Sequence, residues 1–249
     1  IDPYLEFTML EIGARDIGEK GVTNFHNLIT YFPGSRVIGF EVDEKLCEEM
    51  NQQAAEGIRY YPQAIGGTNG EVDFYETAHP MCGSLLEPNL ALARKYFGLE
   101  AMEIKNVSRV TTQKLDDFIS ENDIGNVDLI KIDVQGAELA IFQSAPKALE
   151  NISMIVTEVE FVPLYVNQPL FGDVTSYLIS KGLMFHRFFD WATRALRPTL
   201  FNDNPNTGTQ NMWADAAYVP DLTNLDNLSD ERILKTAILA HIYHSVDLT

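Results

Sequence analysis

Acidic side chains stand at the ends of several apolar runs in this chain, where a carboxylate can bind a ligand or carry a proton. They are Glu11, Glu41, Asp133, Glu158 and Glu160. In open α/β sheets, ligands bind just beyond the carboxyl ends of the parallel strands. If the apolar runs are strands of one sheet, we expect these acids to border a single cleft.

Asp133 is the first candidate for a site residue among these acids. It follows the apolar run 127–132, and Lys131, two residues earlier, points to the same face of that strand. Burying a charge pair at the end of an apolar run is costly without a reason. A turn at Gly136 and a helix that begins near Ala137 follow. The stretch therefore predicts that Asp133 lies at the floor of an active site.

The elements that must position these acids alternate between strand and helix along the chain. The apolar pattern predicts strands at 4–12, 36–41, 58–61, 71–75, 107–111, 127–132, 153–160, 183–189 and 212–219. Helices are expected at 25–32, 43–54, 88–97 and 112–119, from 137 onwards, and at 146–149, 173–181 and 229–242. The expected N-caps are Asp43, Thr112 and Ser229. This order predicts an α/β fold with a mostly parallel sheet and helices on both faces.

Length and charge limit the classes of partner. The 249 residues suit one domain, 1–249, with 221–249 as a helical extension packed on it. The last helix can pack on its own domain or bind a partner. The formal net charge of −18 repels nucleic-acid phosphates, so nucleic acid is not an expected partner. No apolar run is long enough to cross a bilayer, so no membrane association is expected.

The cysteine content and the first residue bear on location and completeness. Cys47 and Cys82 form neither a CxxC motif nor a disulfide framework, which predicts reduced thiols and a cytoplasmic location. No signal peptide is visible, because a strand-like run begins almost at once. The chain starts with Ile rather than Met, so we expect that an upstream region is missing.

Three strand ends carry residue types that suit different parts of one ligand. Glu11-Ile-Gly-Ala14 lacks the GxGxxG spacing of nicotinamide-binding turns, and its acid suits an ammonium or amino-acid group. Glu41 can accept hydrogen bonds from both hydroxyls of a ribose. Gln63-Ala-Ile-Gly66 then stands where an adenine edge would lie. The alternatives are an ordinary turn at the first and third ends and a solvated loop acid at the second.

Other catalytic arrangements are not apparent in the sequence. The five histidines form no HExxH or HxH motif, and no GxSxG elbow occurs. Asp133, Glu138 and Glu158 can in principle bind a divalent metal, but carboxylates around a cleft more often act without one. Glu138 also has a simpler interpretation, since an acid in the first turn of a helix favours the helix dipole.

Taken together, these stretches resemble the FkbM-type methyltransferases, which use S-adenosylmethionine (SAM) and have the class I Rossmann-like fold. The strongest match is 112–149, with TQKLDDFI followed by VDLIKIDVQGAELAIFQSAPKAL. Glu11-Ile-Gly-Ala14, Phe40-Glu41, Gln63-Ala-Ile-Gly66 and Gly83-Ser-Leu85 match the family's other blocks in the same order. The resemblance covers roughly the whole chain and implies a mostly parallel, seven-stranded sheet.

The resemblance also implies which residues hold SAM. These are Glu11, Gly13, Ala14, Arg15, Glu41, Val42, Gln63, Ala64, Ile65, Ser84, Asp133 and Gln135. Two departures from the family pattern are visible. Gln135 stands where the family usually has Glu, and Arg15-Asp16 replaces the usual Asn, with one residue inserted before Ile17-Gly18.

The expected activity is SAM-dependent O-methylation of a sugar or a small natural product. Asp133 is the expected base or orienting residue, with Glu138 and Glu158 as further catalytic candidates. The loops 77–106 and 191–211 are expected to shape the acceptor site. The second loop carries Trp191, Arg194 and Arg197, which can contact a polar or anionic acceptor or form a plain lid.

Two other classes of function remain open. The altered residues at 15–16 and 135 are also compatible with an accessory domain that binds a ligand without turnover. A Rossmann-type oxidoreductase is disfavoured by the absence of GxGxxG.

Overall fold

A computed structural model describes residues 5–14 and 24–249 of the chain. Its strands are β1 (Thr8–Ile12), β2 (Arg36–Phe40), β3 (Ile58–Tyr61), β4 (Ala64–Ile65), β5 (Gly70–Thr77), β6 (Ile104–Gln113), β7 (Leu129–Ile132), β8 (Met154–Glu160), β9 (Leu183–Arg194) and β10 (Gln210–Pro220). Its α-helices are α1 (Leu28–Tyr31), α2 (Glu44–Gln53), α3 (Leu90–Ala93), α4 (Leu115–Glu121), α5 (Glu138–Ser144), α6 (Phe171–Ser180) and α7 (Asp230–Ile242). Short 3-10 helices occur at Asn24–Asn27, Pro80–Cys82, Leu99–Met102 and Leu222–Asn227.

Seven strands form the main sheet, in the order β3-β2-β1-β7-β8-β10-β9. The pairs from β3 to β8 are parallel, whereas β10 is antiparallel to both of its neighbours. The carboxyl ends of β1, β2, β3, β7 and β8 therefore meet at one edge. The predicted mostly parallel, seven-stranded α/β sheet is confirmed.

Apolar side chains cover both faces of this sheet. On one face, Ile130 and Ile155 pack with Leu115 of α4, Phe142 of α5 and Leu178 of α6. The opposite face has its own cluster, formed by Met9, Val37, Met154, Phe25 and Leu239 of α7. The alternation of side chains along each strand separates the two sets. Helices therefore pack on both faces of the sheet, as predicted.

A second, three-stranded sheet with the order β4-β6-β5 lies between β3 and α4 in the sequence. β5 and β6 are antiparallel, and the two-residue β4 runs parallel to β6. Strands at 71–75 and 107–111 were predicted, but their separation from the main sheet was not. This small sheet forms one wall of the cavity described below.

Two helix predictions were wrong because tertiary contacts decide these segments. Thr112 does not cap a helix. It lies in β6 opposite Ala64, and its hydroxyl donates to the Thr68 carbonyl at 2.8 Å. Pro146 does not start a helix, since 146–151 forms turns. The backbone N–H groups of Lys147 and Ala148 donate there to the Asp116 carboxylate at 2.9 and 3.0 Å.

Other predicted boundaries differ in length. The helix predicted at 25–32 is a 3-10 turn followed by the four-residue α1, and that at 88–97 shortens to the four-residue α3. The predicted loop 191–211 begins later, since β9 continues to Arg194 through its pairing with β10. The N-caps Asp43 and Ser229 are confirmed, because their side chains accept from Leu46 N and Arg232 N. No helix in the described part of the chain is long and apolar enough to cross a membrane.

Candidate functional site

A cavity of about 550 Å³ opens at the carboxyl ends of the parallel strands. One side is formed by the turns that follow β1, β2, β3 and β7. The other side is formed by the small sheet and the segment after β5. Ligand pockets are commonly of this size and position in α/β proteins.

Gly13 forms the turn after β1 and brings two backbone segments close together. Its φ is +79°, and a Cβ added at this position would lie 2.0 Å from the Asp133 carbonyl oxygen. The Asp133 N–H donates to the Ile12 carbonyl at 3.0 Å, which holds the turn after β7 against it. Only glycine satisfies both the left-handed φ and the close approach. The cavity floor is therefore backbone as well as side chain.

Glu41 follows β2 and is 4% exposed. Its N–H donates to the Tyr61 carbonyl, and its carboxylate accepts from the Asp43 N–H at 2.8 Å. These contacts hold the carboxylate at the cavity wall beside Val42, as the ribose interpretation of Glu41 requires.

The segment after β3 continues the wall. Gln63, Ala64 and Ile65 all line the cavity. The Gln63 amide nitrogen lies 3.3 Å from the carbonyls of Ala64 and Thr111, so its side chain bridges β4 to β6.

Gln135 connects two of the acids at the end of the main sheet. Its amide nitrogen donates to Asp133 Oδ1 at 2.8 Å and to Glu158 Oε2 at 2.6 Å. Its amide oxygen lies 3.0 Å from the Tyr165 hydroxyl, and its carbonyl accepts from Ser84 Oγ at 2.7 Å. The structure thus brings Ser84, Asp133, Gln135 and Glu158 together, as the sequence predicted only in part.

Lys131 is a buried cation within a group of acids on the same face of the sheet. These acids are Glu11, Asp133, Glu158 and Asp215. Desolvation lowers the pKa of Lys131, but the surrounding carboxylates outweigh it and raise that pKa overall. Its ammonium lies 3.7 Å from Asp133 Oδ2, so the predicted Lys131–Asp133 pair on one face is confirmed.

Two acids of β8 lie behind this pair. Desolvation raises the pKa of Glu158 well above its usual range, and Asp133, Glu160 and other acids raise it further. Desolvation likewise raises the pKa of Glu160, with Glu138 and Asp133 adding to the effect. Such carboxyls hold a proton closer to neutral pH than an exposed glutamate does.

Glu138 faces its own turn rather than the cavity. It is 2% exposed, and its carboxylate accepts from the Val134 N–H at 2.9 Å. Desolvation raises the pKa of Glu138 to about 7, against three backbone hydrogen bonds that lower it. These contacts favour a role for Glu138 in fixing the turn around Asp133, rather than a direct contact with an acceptor.

Most of the predicted cofactor residues line the cavity. They are Gly13, Glu41, Val42, Gln63, Ala64, Ile65, Asp133 and Gln135. Ala14 and Ser84 are buried beside it without lining it. Glu11 is buried and lies 3.0 Å from the His26 ring nitrogen, outside the lining. Arg15 and the altered segment 15–18 lie outside the described residues.

Several lining residues were not predicted. They are Asp43, Phe74, Glu76, Ser108 and Val110. Four of them belong to the small sheet, on the face formed by alternate residues of β5 and β6. Alternation in 70–77 and 104–113 indicates a common face for these side chains. It does not indicate what that face meets.

Sequence similarity shows the family to which this chain belongs. A model of the methyltransferase FkbM domain matches residues 11–185, more than half of the chain. The chain belongs to the FkbM methyltransferase family. The predicted family is confirmed.

Individual relatives of this FkbM methyltransferase are distant. The 2-O-methyltransferase NoeI of Sinorhizobium fredii (strain NBRC 101917 / NGR234) is 27% identical over 163 residues. That alignment covers 61% of this chain and 65% of NoeI, which is less than two thirds of the relative.

Two solved structures have a weak structural similarity to the chain, as their TM-scores show. One, from Thermoplasma acidophilum, is described as a proposed methyltransferase, with 10% identity, a TM-score of 0.35, and coverage of 87% of this chain and 69% of that chain. The other, LepI in complex with SAM, has 11% identity, a TM-score of 0.36, and coverage of 86% and 43%. The order of the seven-stranded sheet and the family match define the fold of this chain.

The charges around the site bear on what this FkbM methyltransferase can hold. Four carboxylates line the cavity, those of Glu41, Asp43, Glu76 and Asp133, and the described lining residues include no Lys, Arg or His. Across the described residues, no group of three His, Cys, Asp or Glu side chains is arranged to hold a metal ion. The donor set thus favours a cationic organic ligand.

Trp191 and Arg197, which were expected to contact the acceptor or to form a lid, contact other parts of the chain instead. Arg197 pairs with Glu100 and lies over the Phe97 ring at 4.2 Å. Trp191 is half-exposed and stacks on Phe161, with ring centroids 5.4 Å apart. Neither Trp191 nor Arg197 lines the cavity, whereas the predicted loop 77–106 contributes Thr77, Pro80, Met81, Gly83 and Leu85 to the lining.

Proposed function

We propose that this enzyme is a SAM-dependent O-methyltransferase that acts on a hydroxyl group of a sugar or another small molecule. The observation that carries the proposal is the cavity wall, with four carboxylates, no described basic residue, and the close Gly13 turn beneath it. A wall of that charge suits the ammonium and sulfonium groups of SAM. The family match and the printed activity of NoeI support the same chemistry.

The proposed cofactor residues divide by position. Glu11, Gly13, Ala14 and Arg15 would border the amino-acid end, and Glu41 and Val42 the ribose. Gln63, Ala64 and Ile65 would line the adenine, with the face of β5 and β6 opposite. Ser84, Asp133 and Gln135 would lie by the reacting end.

SAM supplies a methyl group on a positively charged sulfur, which keeps the electron pair of the broken carbon–sulfur bond. The protein must orient the acceptor hydroxyl and take its proton. Asp133 and Glu158 are the proposed carboxylates for this step, because they lie together at the carboxyl ends of β7 and β8. Glu138 supports the turn that carries Asp133.

The remaining parts of the proposal concern the whole chain. We infer one domain over 1–249, with 221–249 packed on it through α7. The acceptor is a small molecule or a carbohydrate, not nucleic acid, in keeping with the net charge of −18. A cytoplasmic location is consistent with Cys47 and Cys82, which are both free.

Calorimetric titration with SAM, S-adenosylhomocysteine and NAD tests the proposal, followed by methyl transfer to a panel of sugars and small alcohols. Binding of SAM and its demethylated product, with methyl transfer to an alcohol, is the expected result. Absence of SAM binding would sink the proposal. Binding of SAM without methyl transfer to any acceptor would favour an accessory ligand-binding domain. Binding of NAD alone would favour an oxidoreductase.

A further inference from the structure

Gln135 adopts a conformation that non-glycine residues rarely take. Its φ is +58°, in the left-handed region. Two contacts from other parts of the chain fix it there: Ser84 Oγ donates to its carbonyl, and the Tyr165 hydroxyl lies 3.0 Å from its amide oxygen. Such conformations persist only where the surroundings determine them, and they cluster at functional sites. The orientation of the Gln135 amide is therefore set by the fold.

Both N–H groups of this amide are used by acids. A primary amide has two donors. Here one is directed to Asp133 Oδ1 at 2.8 Å and the other to Glu158 Oε2 at 2.6 Å. The amide thus separates two carboxylates and holds each by one oxygen. We call the three side chains of Asp133, Gln135 and Glu158 the carboxylate clamp.

The two acids of the clamp differ in their other contacts. Asp133 also pairs with the Lys131 ammonium at 3.7 Å. Glu158 forms no ion pair within the described ranges 5–14 and 24–249. An ion-paired carboxylate is stabilised in its charged form, whereas one without a cation takes up a proton more readily. The clamp therefore contains one acid with a cationic partner, Asp133, and one suited to accept a proton, Glu158.

A glutamate at position 135 would change this balance. It has no donor when ionised, and it would place a third carboxylate against Asp133 and Glu158. Like charges at such distances cannot all ionise, so the three acids would have to retain at least one proton. With Gln135, the clamp therefore holds fewer protons than it would with a glutamate at this position.

We propose that Gln135 is a positioning residue that fixes the Asp133 and Glu158 carboxylates and leaves Glu158 to take the proton of the acceptor hydroxyl. The proton-transfer part rests on the proposed function, whereas the clamp is a property of the folded chain alone. The proton moves from the acceptor oxygen to Glu158 as that oxygen bonds to the methyl carbon, and the pair of the broken bond stays on sulfur. Glu158 later returns the proton to solvent.

Several titratable groups surround Glu158 and contribute to its proton affinity. They are Lys131 on β7, Asp133 on the following turn, Glu138 on α5, Glu160 on β8, Tyr165 in the loop after β8, and Asp215 on β10. The raised pKa of Glu158 supports the assignment. The effect of a substitution at position 135 on stability or activity must therefore be measured as a function of pH, not at a single pH.

Three variants test the clamp. Gln135→Glu adds the third carboxylate, and Gln135→Met keeps the length but removes the amide donors. Gln52→Glu adds the same charge on the exposed face of α2 and is the matched control. Thermal unfolding without any ligand is measured first. Relative to wild type, Gln135→Glu should lose several degrees in melting temperature between about pH 5 and about pH 8.

The unfolding measurement decides on the clamp without reference to the cofactor. The melting temperature of Gln52→Glu should equal that of the wild type at every pH. The melting temperature of Gln135→Met should be lower than that of the wild type across the range. An unfolding difference between Gln135→Glu and wild type that does not depend on pH would overturn the clamp. This measurement holds even if SAM does not bind.

The pH dependence of methyl transfer decides on the proton acceptor. In Gln135→Glu, the acid limb of kcat should move to higher pH by about one unit, with activity regained at alkaline pH and SAM affinity within about threefold of wild type. Gln135→Met should lose kcat at every pH. An unmoved acid limb would overturn the role of Glu158. Absence of SAM binding in every variant and in wild type would instead reject the proposed function.

Discussion

The Lys235 ammonium lies 2.9 Å from the Asp128 carboxylate, and both side chains are buried. Lys235 is on α7, and Asp128 directly precedes β7. The second carboxylate oxygen of Asp128 accepts from the Thr8 N–H at 2.8 Å. One buried pair therefore ties the last helix to the first strand and to the strand that carries the candidate site.

Removing the cation of this pair should destabilise the protein strongly. Lys235→Met leaves a buried carboxylate without its partner, which costs about 3–5 kcal/mol. Urea unfolding measures this loss. Lys45→Met, which removes an exposed cation from α2, should cost less than about 1 kcal/mol.

The double variant Asp128→Asn/Lys235→Met separates the pair from simple packing. It should be more stable than Lys235→Met, because no uncompensated charge remains. Desolvation already raises the pKa of Asp128, and loss of Lys235 raises it further. The single variant should therefore regain stability as the pH falls. Additive losses in the double variant would contradict the coupling.

Loss of the charge of Glu41 should weaken cofactor binding. A charge-assisted hydrogen bond contributes about 1.5–3 kcal/mol, so Glu41→Gln should weaken the binding of S-adenosylhomocysteine by about tenfold or more. Titration calorimetry measures the affinity. Glu44→Gln removes the same charge from an exposed position three residues later and serves as control. Equal affinities for both variants would argue against the ribose contact.

Residue types at the strand ends were sufficient to predict the position of the cavity. Gly13, Glu41, Gln63 and Asp133 come together because parallel strands end at one edge of a sheet, a property that depends on the order of elements. The N-cap at Asp43 was predictable for a similar reason, since its hydrogen bond is local in sequence. Local patterns thus sufficed for the main sheet and one half of the site.

The other half depends on contacts between distant segments. Thr112 has the residue type of a helix cap, but strand pairing with Ala64 decides its conformation. Glu76 and Ser108 face the cavity only because the small sheet folds back over the strand ends. The role of Gln135 requires Tyr165, thirty residues away, and a left-handed φ that no pattern of hydrophobicity reveals.

The two acids of the carboxylate clamp should respond differently to amidation. Glu158→Gln should lower kcat by about 100-fold or more, as expected for loss of a general base. Asp133→Asn should retain most SAM affinity and lose less activity, because it removes an orienting charge. Single-turnover rates and calorimetry on both variants test this. Full activity of Asp133→Asn would exclude any base or orienting role for that residue.

The close approach at Gly13 should tolerate no side chain. Gly13→Ala places a methyl group against the Asp133 carbonyl, so both the turn and the floor of the cavity must shift. Gly182→Ala is the matched control, since Gly182 has the same φ of +79° and no atom within 4 Å of an added Cβ. That control should lose only about 1–2 kcal/mol, the cost of a left-handed alanine. Gly13→Ala should lose more and should also fail to bind the cofactor in calorimetry. Similar stability losses in the two variants would show that the backbone at Asp133 can shift to accommodate the added methyl group.

Glu138 should make the stability of the protein fall with rising pH. Burial raises its pKa from 4.5 in the unfolded chain to about 7 in the folded protein, so the folded state holds the proton more tightly. The resulting stabilisation is complete below about pH 4.5 and is lost as the pH rises through about 7, by roughly 3 kcal/mol. Glu138→Gln keeps an acceptor for the Val134 N–H but cannot ionise. The variant should therefore gain stability relative to wild type across this range in urea unfolding. Exposed Glu150→Gln should show no such trend, and parallel curves for Glu138→Gln and wild type would place the titrating proton elsewhere in the acidic group.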